Sequence, residues 1–170
     1  LCLNCDIRFE KYFLEKIIAS ASRKRNSLFC CATVAGERYV TSGVSMRSWT
    51  LSLTSHIPAG KINGRDYPEF VPADMLAGRA LYLPAGIPDV IGLPARDLLP
   101  HYGADYEYTA RAKRAGYGLY VYTGTAVESD IKNTGSKASH SGSNIGKRLN
   151  LLFSKRSPSN LLYRIRFVSA

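Results

Sequence analysis

The chain has 170 residues, 45% of them hydrophobic, which suits one domain with a buried core and excludes compositional disorder. No apolar run approaches the roughly 20 residues that span a bilayer, and the first residues lack the basic stretch and cleavage site of a signal peptide. The formal net charge of +10 is uneven, because all 13 acidic residues lie at or before Asp130, whereas 8 of the 23 basic residues follow it. A basic tail favours anionic lipid, nucleic acid or phosphorylated substrates, although a merely solvated tail has the same composition.

An apolar strand opens the chain at Leu1-Cys2-Leu3, which is unusual for a natural N-terminus and indicates a fragment whose earlier strands are missing. The helical spacing of apolar residues then predicts an amphipathic helix from Phe9 to Ser22, closed by a basic run. The short apolar run from Leu28 to Val34 predicts a buried strand.

Four cysteines are present, and the first two have the spacing of half a zinc knuckle or of a redox pair. No later Cys-x-x-Cys or His-x-x-x-His completes such a site. We therefore expect core cysteines in a reducing cytoplasm. The four are Cys2, Cys5, Cys30 and Cys31.

The middle of the chain is less regular. A surface excursion from Glu37 to Phe70 is punctuated by glycine and proline, and it holds a predicted hairpin of Val40–Val44 with Trp49–Leu53. We predict a strand over Asp74–Pro84, in which Gly78 marks a place where another group approaches the backbone.

The last third begins with a short helix or turn over Ala85–Leu93. A helix that starts near Asp105 and closes at Gly116 follows, and then a strand over Leu119–Thr123. A Ser/Gly-rich loop and two short amphipathic segments complete the basic tail. Strands that alternate with helices predict an α/β domain.

Two carboxylates, Asp105 and Glu107, lie at the start of the predicted helix beside a loop rich in Tyr and His. They suit a general base and its support, or equally a helix cap. Asp6 directly follows the first strand. Because ligands collect at the carboxyl ends of strands in α/β sheets, we expect Asp6 and Asp105 to face one cleft.

From Leu1 to Asp130 the chain resembles the family-2 glycosyltransferases, which have the GT-A fold. Leu1-Cys2-Leu3-Asn4-Cys5-Asp6 looks like the family's strand ending in a D-x-D-type motif, and Asp74–Pro84 looks like its strand near the acceptor. Asp105-x-Glu107-x-x-x-Arg111, followed by Arg114-Ala115-Gly116-Tyr117, looks like its catalytic-base helix. The resemblance implies that Asp6 binds a divalent metal and the diphosphate of a sugar nucleotide, and that Asp105 deprotonates the acceptor hydroxyl.

The chain departs from the family pattern at three places. Ala104 stands where many members have Glu, and Asn4 stands where the motif has its first acid. The family's first half, which binds the nucleotide base, has no counterpart here. The resemblance therefore implies a partial GT-A-like sheet flanked by helices over residues 1–130, and a basic, membrane-proximal segment over residues 131–170.

The candidate site residues follow from this resemblance and from local chemistry. Asp6 is alternatively a helix cap, Asp74 and Arg79 are alternatively surface residues, and Glu107 is alternatively the partner of Arg111 in an i, i+4 ion pair. His140, Glu128 and Asp130 lie near the expected place of a further metal ligand, and His140 is alternatively an exposed loop residue. The set comprises Asp105 and Glu107 as catalytic residues, Asn4, Asp6 and Arg79 for the donor, Asp74, Gly78, His101 and Tyr102 for the acceptor, and Asp6 and His140 for the metal.

The resemblance implies a metal-dependent inverting glycosyltransferase of bacterial-type surface polysaccharide or glycoconjugate synthesis, and carboxylate ligands suit Mg²⁺ or Mn²⁺. Its partners would be a nucleotide-sugar donor, a saccharide or lipid-linked acceptor and, through the basic tail, the inner face of the cytoplasmic membrane. The alternatives are an inactive glycosyltransferase-like fragment, or a basic binding module for anionic lipid or nucleic acid. Nucleic acid is disfavoured because no nucleic-acid-binding motif is present.

Overall fold

The computed structural model describes residues 1–48, 53–58, 67–94 and 103–129. These residues form a mixed α/β structure with a seven-stranded sheet, a three-stranded sheet and three helices. The α/β class predicted from the sequence is confirmed. The elements are β1 (Cys2–Leu3), β2 (Ile7–Phe9), α1 (Phe13–Arg23), β3 (Ser27–Ala35), β4 (Arg38–Val40), β5 (Gly43–Ser48), β6 (Leu53–Ile57), β7 (Phe70–Pro72), β8 (Met75–Leu76), β9 (Ala80–Tyr82), α2 (Ile87–Ile91), α3 (Ala104–Arg114) and β10 (Gly118–Ser129).

The large sheet has the strand order β1-β9-β3-β10-β2, with β4 added to β3 and β7 added to β10. Its centre is the parallel pair of β3 and β10, in which Leu28 lies opposite Leu119 and Cys30 lies opposite Val121. All other pairs in this sheet are antiparallel. The small sheet has the order β6-β5-β8.

Helices cover both faces of the large sheet because β3 sends alternate residues to opposite sides. Leu28 and Cys30 pack with Tyr108 and Ala112 of α3 in one buried cluster, which also includes Ile87 of α2. Phe29 and Cys31 pack with α1 in a second buried cluster. This three-layer arrangement explains why β3 is apolar along most of its length rather than alternating.

The first helix is shorter than the sequence pattern predicts. Ile7–Phe9 form a strand that pairs with the end of β10, where Ser129 lies opposite Ile7 and Val127 lies opposite Phe9. Helix α1 therefore begins at Phe13, with Tyr12 as its N-cap, and the predicted start at Phe9 is wrong. Phe9 fits the helical spacing of apolar residues although it precedes the helix. Its ring stacks on that of Phe13, with the ring centroids 4.9 Å apart.

The predicted strand over Asp74–Pro84 is two strands in two different sheets. β8 pairs with β5 in the small sheet, whereas β9 pairs with β1 and β3 in the large sheet. A turn at residues 77–79 connects them. β5 pairs with β6 in an antiparallel manner. The predicted hairpin of Val40–Val44 with Trp49–Leu53 falls partly on residues 49–52, which lie outside the described residues, and Val40 belongs to β4, which pairs with β3.

The prediction that Cys2 and Cys5 are core residues is wrong. Both are exposed, whereas Cys30 and Cys31 are buried, and all four are free thiols. The reason is the place of β1, which lies at the end of the large sheet with β9 as its partner and leaves Leu1 and Leu3 exposed as well. Burial raises the pKa of the Cys31 thiol to about 12, so this thiol stays protonated.

Candidate functional site

The candidate site lies where β1 ends and β9 begins. Because these strands are antiparallel, the segment Asn4-Cys5-Asp6 that leaves β1 meets the turn at residues 77–79 that leads into β9. The Asn4 N–H donates a hydrogen bond to the Arg79 carbonyl oxygen at 3.0 Å. The chain after β1 is thus held against the turn that contains Gly78.

The Asp105 side chain contacts the same turn. Its Oδ2 accepts a hydrogen bond from the Gly78 N–H at 2.8 Å, and its Oδ1 accepts one from the Tyr106 N–H at 3.0 Å. A Cβ placed on Gly78 would lie 3.4 Å from the Asp105 Cβ. The prediction that another group approaches the backbone at Gly78 is confirmed, and that group is the Asp105 side chain.

Helix α3 does not use Asp105 as its N-cap. The N-cap is Gly103, whose φ of 86° is in the left-handed region that glycine adopts most readily, and no side chain caps the helix there. Asp105 lies in the first turn, where the partial positive charge of the helix N-terminus stabilises a carboxylate. The capping interpretation is therefore wrong, and the carboxylate connects α3 to the turn at residues 77–79.

Asp6 is exposed, in the turn between β1 and β2. It does not cap α1, which begins at Phe13 with Tyr12 as its N-cap. Within the described part of the chain, no residue donates a hydrogen bond to its carboxylate. Asp6 lies two positions after Asn4, whose N–H bonds to Arg79, a span of at most about 7 Å of chain. Asp6 is exposed and Asp105 is half-buried, and the expectation that the two side chains face one cleft stays a prediction.

Arg79 and Tyr106 add a charge and a phenol beside Asp105. The Arg79 guanidinium donates a hydrogen bond from Nη1 to the Thr41 carbonyl oxygen at 2.8 Å. Burial raises the pKa of Tyr106 to about 12, and the negative charge of Asp105 adds to this effect while Arg79 opposes it. The Tyr106 hydroxyl therefore stays neutral at physiological pH and can serve as a hydrogen-bond donor.

Glu107 lies two residues further along α3 and is engaged elsewhere. It is buried, and its two oxygens each accept a hydrogen bond from Arg111 at 2.9 Å, so the predicted i, i+4 ion pair is confirmed. Arg111 also donates to the carbonyl oxygens of Ile91 and Leu93, at 2.5 and 3.2 Å. This network clamps the end of α2 onto α3 and leaves Glu107 without an open approach for an acceptor.

Asp74 lies toward the other end of α3. Its Oδ1 accepts a hydrogen bond from Lys113 at 2.5 Å, and its Oδ2 accepts one from the Met46 N–H at 2.6 Å. Burial alone would raise the pKa of Asp74, but the hydrogen bonds from Lys113 and Met46 outweigh it and lower the pKa. Lys113 is eight positions after Asp105 in the helix, a rise of about 12 Å. Asp74 therefore belongs to a separate cavity of about 450 Å³, lined also by Ala110, Lys113 and Arg114.

Three candidate residues, His101, Tyr102 and His140, lie outside the described residues, as does Asp130. Glu128 is exposed on β10 and lies opposite Arg8 of β2. Arg8 is two positions after Asp6 in the sequence. Among residues 1–48, 53–58, 67–94 and 103–129, no group of three or more His, Cys, Asp or Glu side chains is placed to hold a metal ion.

Thr109 is the residue of this site that the sequence analysis overlooks. Its hydroxyl accepts a hydrogen bond from the Leu76 N–H at 3.0 Å and lies 2.8 Å from the Asp105 carbonyl oxygen, to which it donates. A threonine inside a helix, four residues after a candidate base, was the available signal, because such hydroxyls bond to the carbonyl one turn earlier.

No protein-family model matches the chain, and no curated protein sequence matches it. Of the helices in the described ranges, none has the length and apolar character needed to cross a membrane.

Proposed function

We propose that this chain is a glycosyltransferase that moves a sugar from a nucleotide-sugar donor to a hydroxyl acceptor, on a partial GT-A-like fold. The observation that carries the proposal is the anchoring of the Asp105 carboxylate to the Gly78 N–H, beside the segment that presents Asp6. A carboxylate held by the backbone at a helix N-terminus, without a cation on either oxygen among the described residues, suits a base better than a structural ion pair.

In the proposed reaction the acceptor hydroxyl attacks the anomeric carbon of the donor sugar. A bond forms between the acceptor oxygen and this carbon, and the bond from the carbon to the diphosphate oxygen breaks, so its electron pair leaves with the nucleoside diphosphate. Asp105 takes the hydroxyl proton. Attack from the face opposite the leaving group inverts the configuration at the anomeric carbon.

The chemistry of Asp6 fits the divalent cation that the proposal includes. Its exposed carboxylate is an oxygen ligand, and Mg²⁺ in proteins is commonly held by one or two carboxylates together with substrate phosphates. When bound, such a cation neutralises the charge that develops on the departing diphosphate. Arg79 lies beside this edge and can add a planar guanidinium contact to a phosphate.

The remaining candidates have smaller parts in the proposal. Asn4 and Arg79 line the donor side of the edge, and Glu107 positions α3 through Arg111. The backbone of Gly78 contacts the base, and Asp74 is left out because Lys113 and Met46 occupy its oxygens. A lipid-linked acceptor at the cytoplasmic face of a membrane stays an expectation from the basic tail.

The test is turnover by the intact chain with UDP-, GDP- and dTDP-hexoses, measured as release of the nucleoside diphosphate, with Mg²⁺ or Mn²⁺ and with EDTA. We expect release that requires the cation and that falls about 100- to 10,000-fold in Asp105→Asn. Asp89→Asn is the matched control, because Asp89 is an exposed carboxylate in the first turn of α2. No release with any donor would favour the inactive fragment, and salt-sensitive binding of nucleic acid or anionic vesicles without turnover would favour the basic binding module.

A further inference from the structure

Two side chains of α3 hold the segment that runs from β8 into the turn before β9. Asp105 and Thr109 are four positions apart, so they lie on the same face of the helix. Asp105 accepts a hydrogen bond from the Gly78 N–H, and Thr109 accepts one from the Leu76 N–H. The first donor lies in the turn at residues 77–79 and the second lies in β8, two positions earlier. The helix and the segment are therefore joined by two separate contacts.

The Thr109 hydroxyl is fully buried, with 0% exposure. It accepts from the Leu76 N–H with one lone pair. Of the carbonyl oxygens available to its single hydrogen, that of Asp105 is nearest at 2.8 Å, and those of Tyr106 and Leu76 lie at 3.2 and 3.5 Å. The Thr109 hydroxyl thus contacts the backbone of Asp105 and also the backbone of Leu76, the last residue of β8. Two residues after Leu76, the Gly78 N–H donates to the Asp105 carboxylate. Because its environment is closed, water cannot replace either contact if the hydroxyl is removed.

We infer that Thr109 is the positioning residue for Asp105: its hydroxyl sets the distance between the first turn of α3 and the segment of residues 76–78, and so holds the Gly78 N–H on Asp105 Oδ2. The hydrogen bond from the Gly78 N–H orients Oδ2 of Asp105. Each oxygen of this carboxylate keeps a further lone pair that can accept a hydrogen bond from an incoming hydroxyl. The inference rests on the proposed function for its catalytic consequence, whereas the positioning itself is a property of the fold.

The test records the chemical shift of the Gly78 amide proton by NMR in the ¹⁵N-labelled intact chain at neutral pH. A hydrogen bond to a carboxylate is stronger than one to a neutral amide, so Asp105→Asn should move the Gly78 amide proton and thereby identify the contribution of the carboxylate. Thr109→Val removes the hydroxyl but keeps the shape, and we expect the Gly78 amide proton to move toward its position in Asp105→Asn. Thr109→Ser keeps the hydroxyl and should restore the wild-type chemical shift.

Turnover is the second measurement. Since a misplacement of about 1 Å can lower a rate about 100-fold, we expect kcat of Thr109→Val to fall by up to that factor with KM nearly unchanged, and Thr109→Ser to stay near the wild type. A Gly78 amide proton with the same chemical shift in the wild type and in Asp105→Asn would overturn the inference, even if Thr109→Val does not fold. Equal Gly78 shifts and equal kcat in Thr109→Val and the wild type would also overturn it.

The two proposals fail in different ways. A Gly78 shift that depends on the Thr109 hydroxyl, in a chain that turns over no nucleotide sugar, supports the positioning role and contradicts the glycosyltransferase. Turnover that requires Asp105, without any response of the Gly78 amide, supports the glycosyltransferase and contradicts the positioning role.

Discussion

A carboxylate that accepts a backbone N–H hydrogen bond lies near each end of α3, but among the described residues only the one near the C-terminal end is also hydrogen-bonded to a side-chain cation. At the C-terminal end, Asp74 bonds to Lys113, and its pKa is lowered by that contact and by the Met46 N–H. At the N-terminal end, Asp105 has N–H donors from Gly78 and Tyr106. A carboxylate already hydrogen-bonded to an ammonium group is poorly suited to accept a proton, and for this reason our proposal gives the role of base to Asp105 rather than to Asp74.

The largest expected effect is on turnover, and it separates the two ends. Asp105→Asn should lower kcat about 100- to 10,000-fold because the amide cannot take the acceptor proton. Asp74→Asn should leave kcat within a few-fold, since Asp74 binds Lys113, which lies about 12 Å along α3 from Asp105. Release of nucleoside diphosphate from the two purified variants measures the difference, and equal losses in both would contradict the assignment.

The next effect is on stability and concerns the middle of α3. Glu107→Ala removes a buried carboxylate that binds both the Nε and Nη2 of Arg111, and leaves the guanidinium partly desolvated. We expect a loss of about 3 kcal/mol in the free energy of unfolding, measured by urea denaturation. The double variant Glu107→Ala with Arg111→Met should recover part of this loss, and additive losses would argue against the coupling of the pair.

A smaller effect, with a defined pH dependence, concerns Asp74. Its pKa is lower in the folded chain than in the unfolded chain, so the stability that it contributes is present above the unfolded pKa of about 3.9 and is lost as the pH falls through the folded value. Asp74→Asn should therefore lower the free energy of unfolding by about 2 kcal/mol at neutral pH, and by less near pH 3. Urea denaturation at the two pH values measures this, with Asp89→Asn as a control that should change little. A loss that grows in acid would show that the sign is wrong.

The smallest effect tests what Gly78 supplies at the N-terminal end. Gly78→Ala keeps the N–H that bonds Asp105, and its new Cβ would lie 3.4 Å from the Asp105 Cβ, close to an ordinary contact. We expect a change of less than about 1 kcal/mol in the free energy of unfolding, and turnover close to that of the wild type. A severe loss of turnover in a folded variant would indicate that the space at Gly78, rather than its N–H, is what the site requires.

The local pattern predicted the helix around Asp105 well. The helix occupies Ala104–Arg114 and is followed by Gly116 with a φ of 92°, as expected for a glycine that closes a helix. The i, i+4 pair of Glu107 with Arg111 was also predicted from neighbouring residues. Both features depend on residues close in sequence, so the local period and turn chemistry are enough to predict them. A glycine within a strand pattern likewise predicted a close approach at Gly78, but it did not predict that Asp105 is the group that approaches.

The errors share a different origin. The start of α1 was misplaced because Ile7–Phe9 pair with the end of β10, more than 100 residues later. The segment Asp74–Pro84 was treated as one strand because nothing local shows that β8 and β9 join different sheets. The apolar run around Cys2 and Cys5 wrongly predicts that both are buried. Such a run does not reveal whether its strand lies at the centre or, as β1 does, at the end of the sheet.

By itself, the sequence determined the α/β class, the helix that carries Asp105 and the candidate pair of Asp6 and Asp105. The tertiary structure decided that the chain after β1 meets the turn at residues 77–79, that Gly78 holds Asp105 and that Thr109 connects the two. The tertiary structure also decided that Lys113 forms an ion pair with Asp74. The physical reason is that helix periods and caps are set by interactions within a few residues, whereas the partner of a buried polar group is set by which distant segments the sheet brings together.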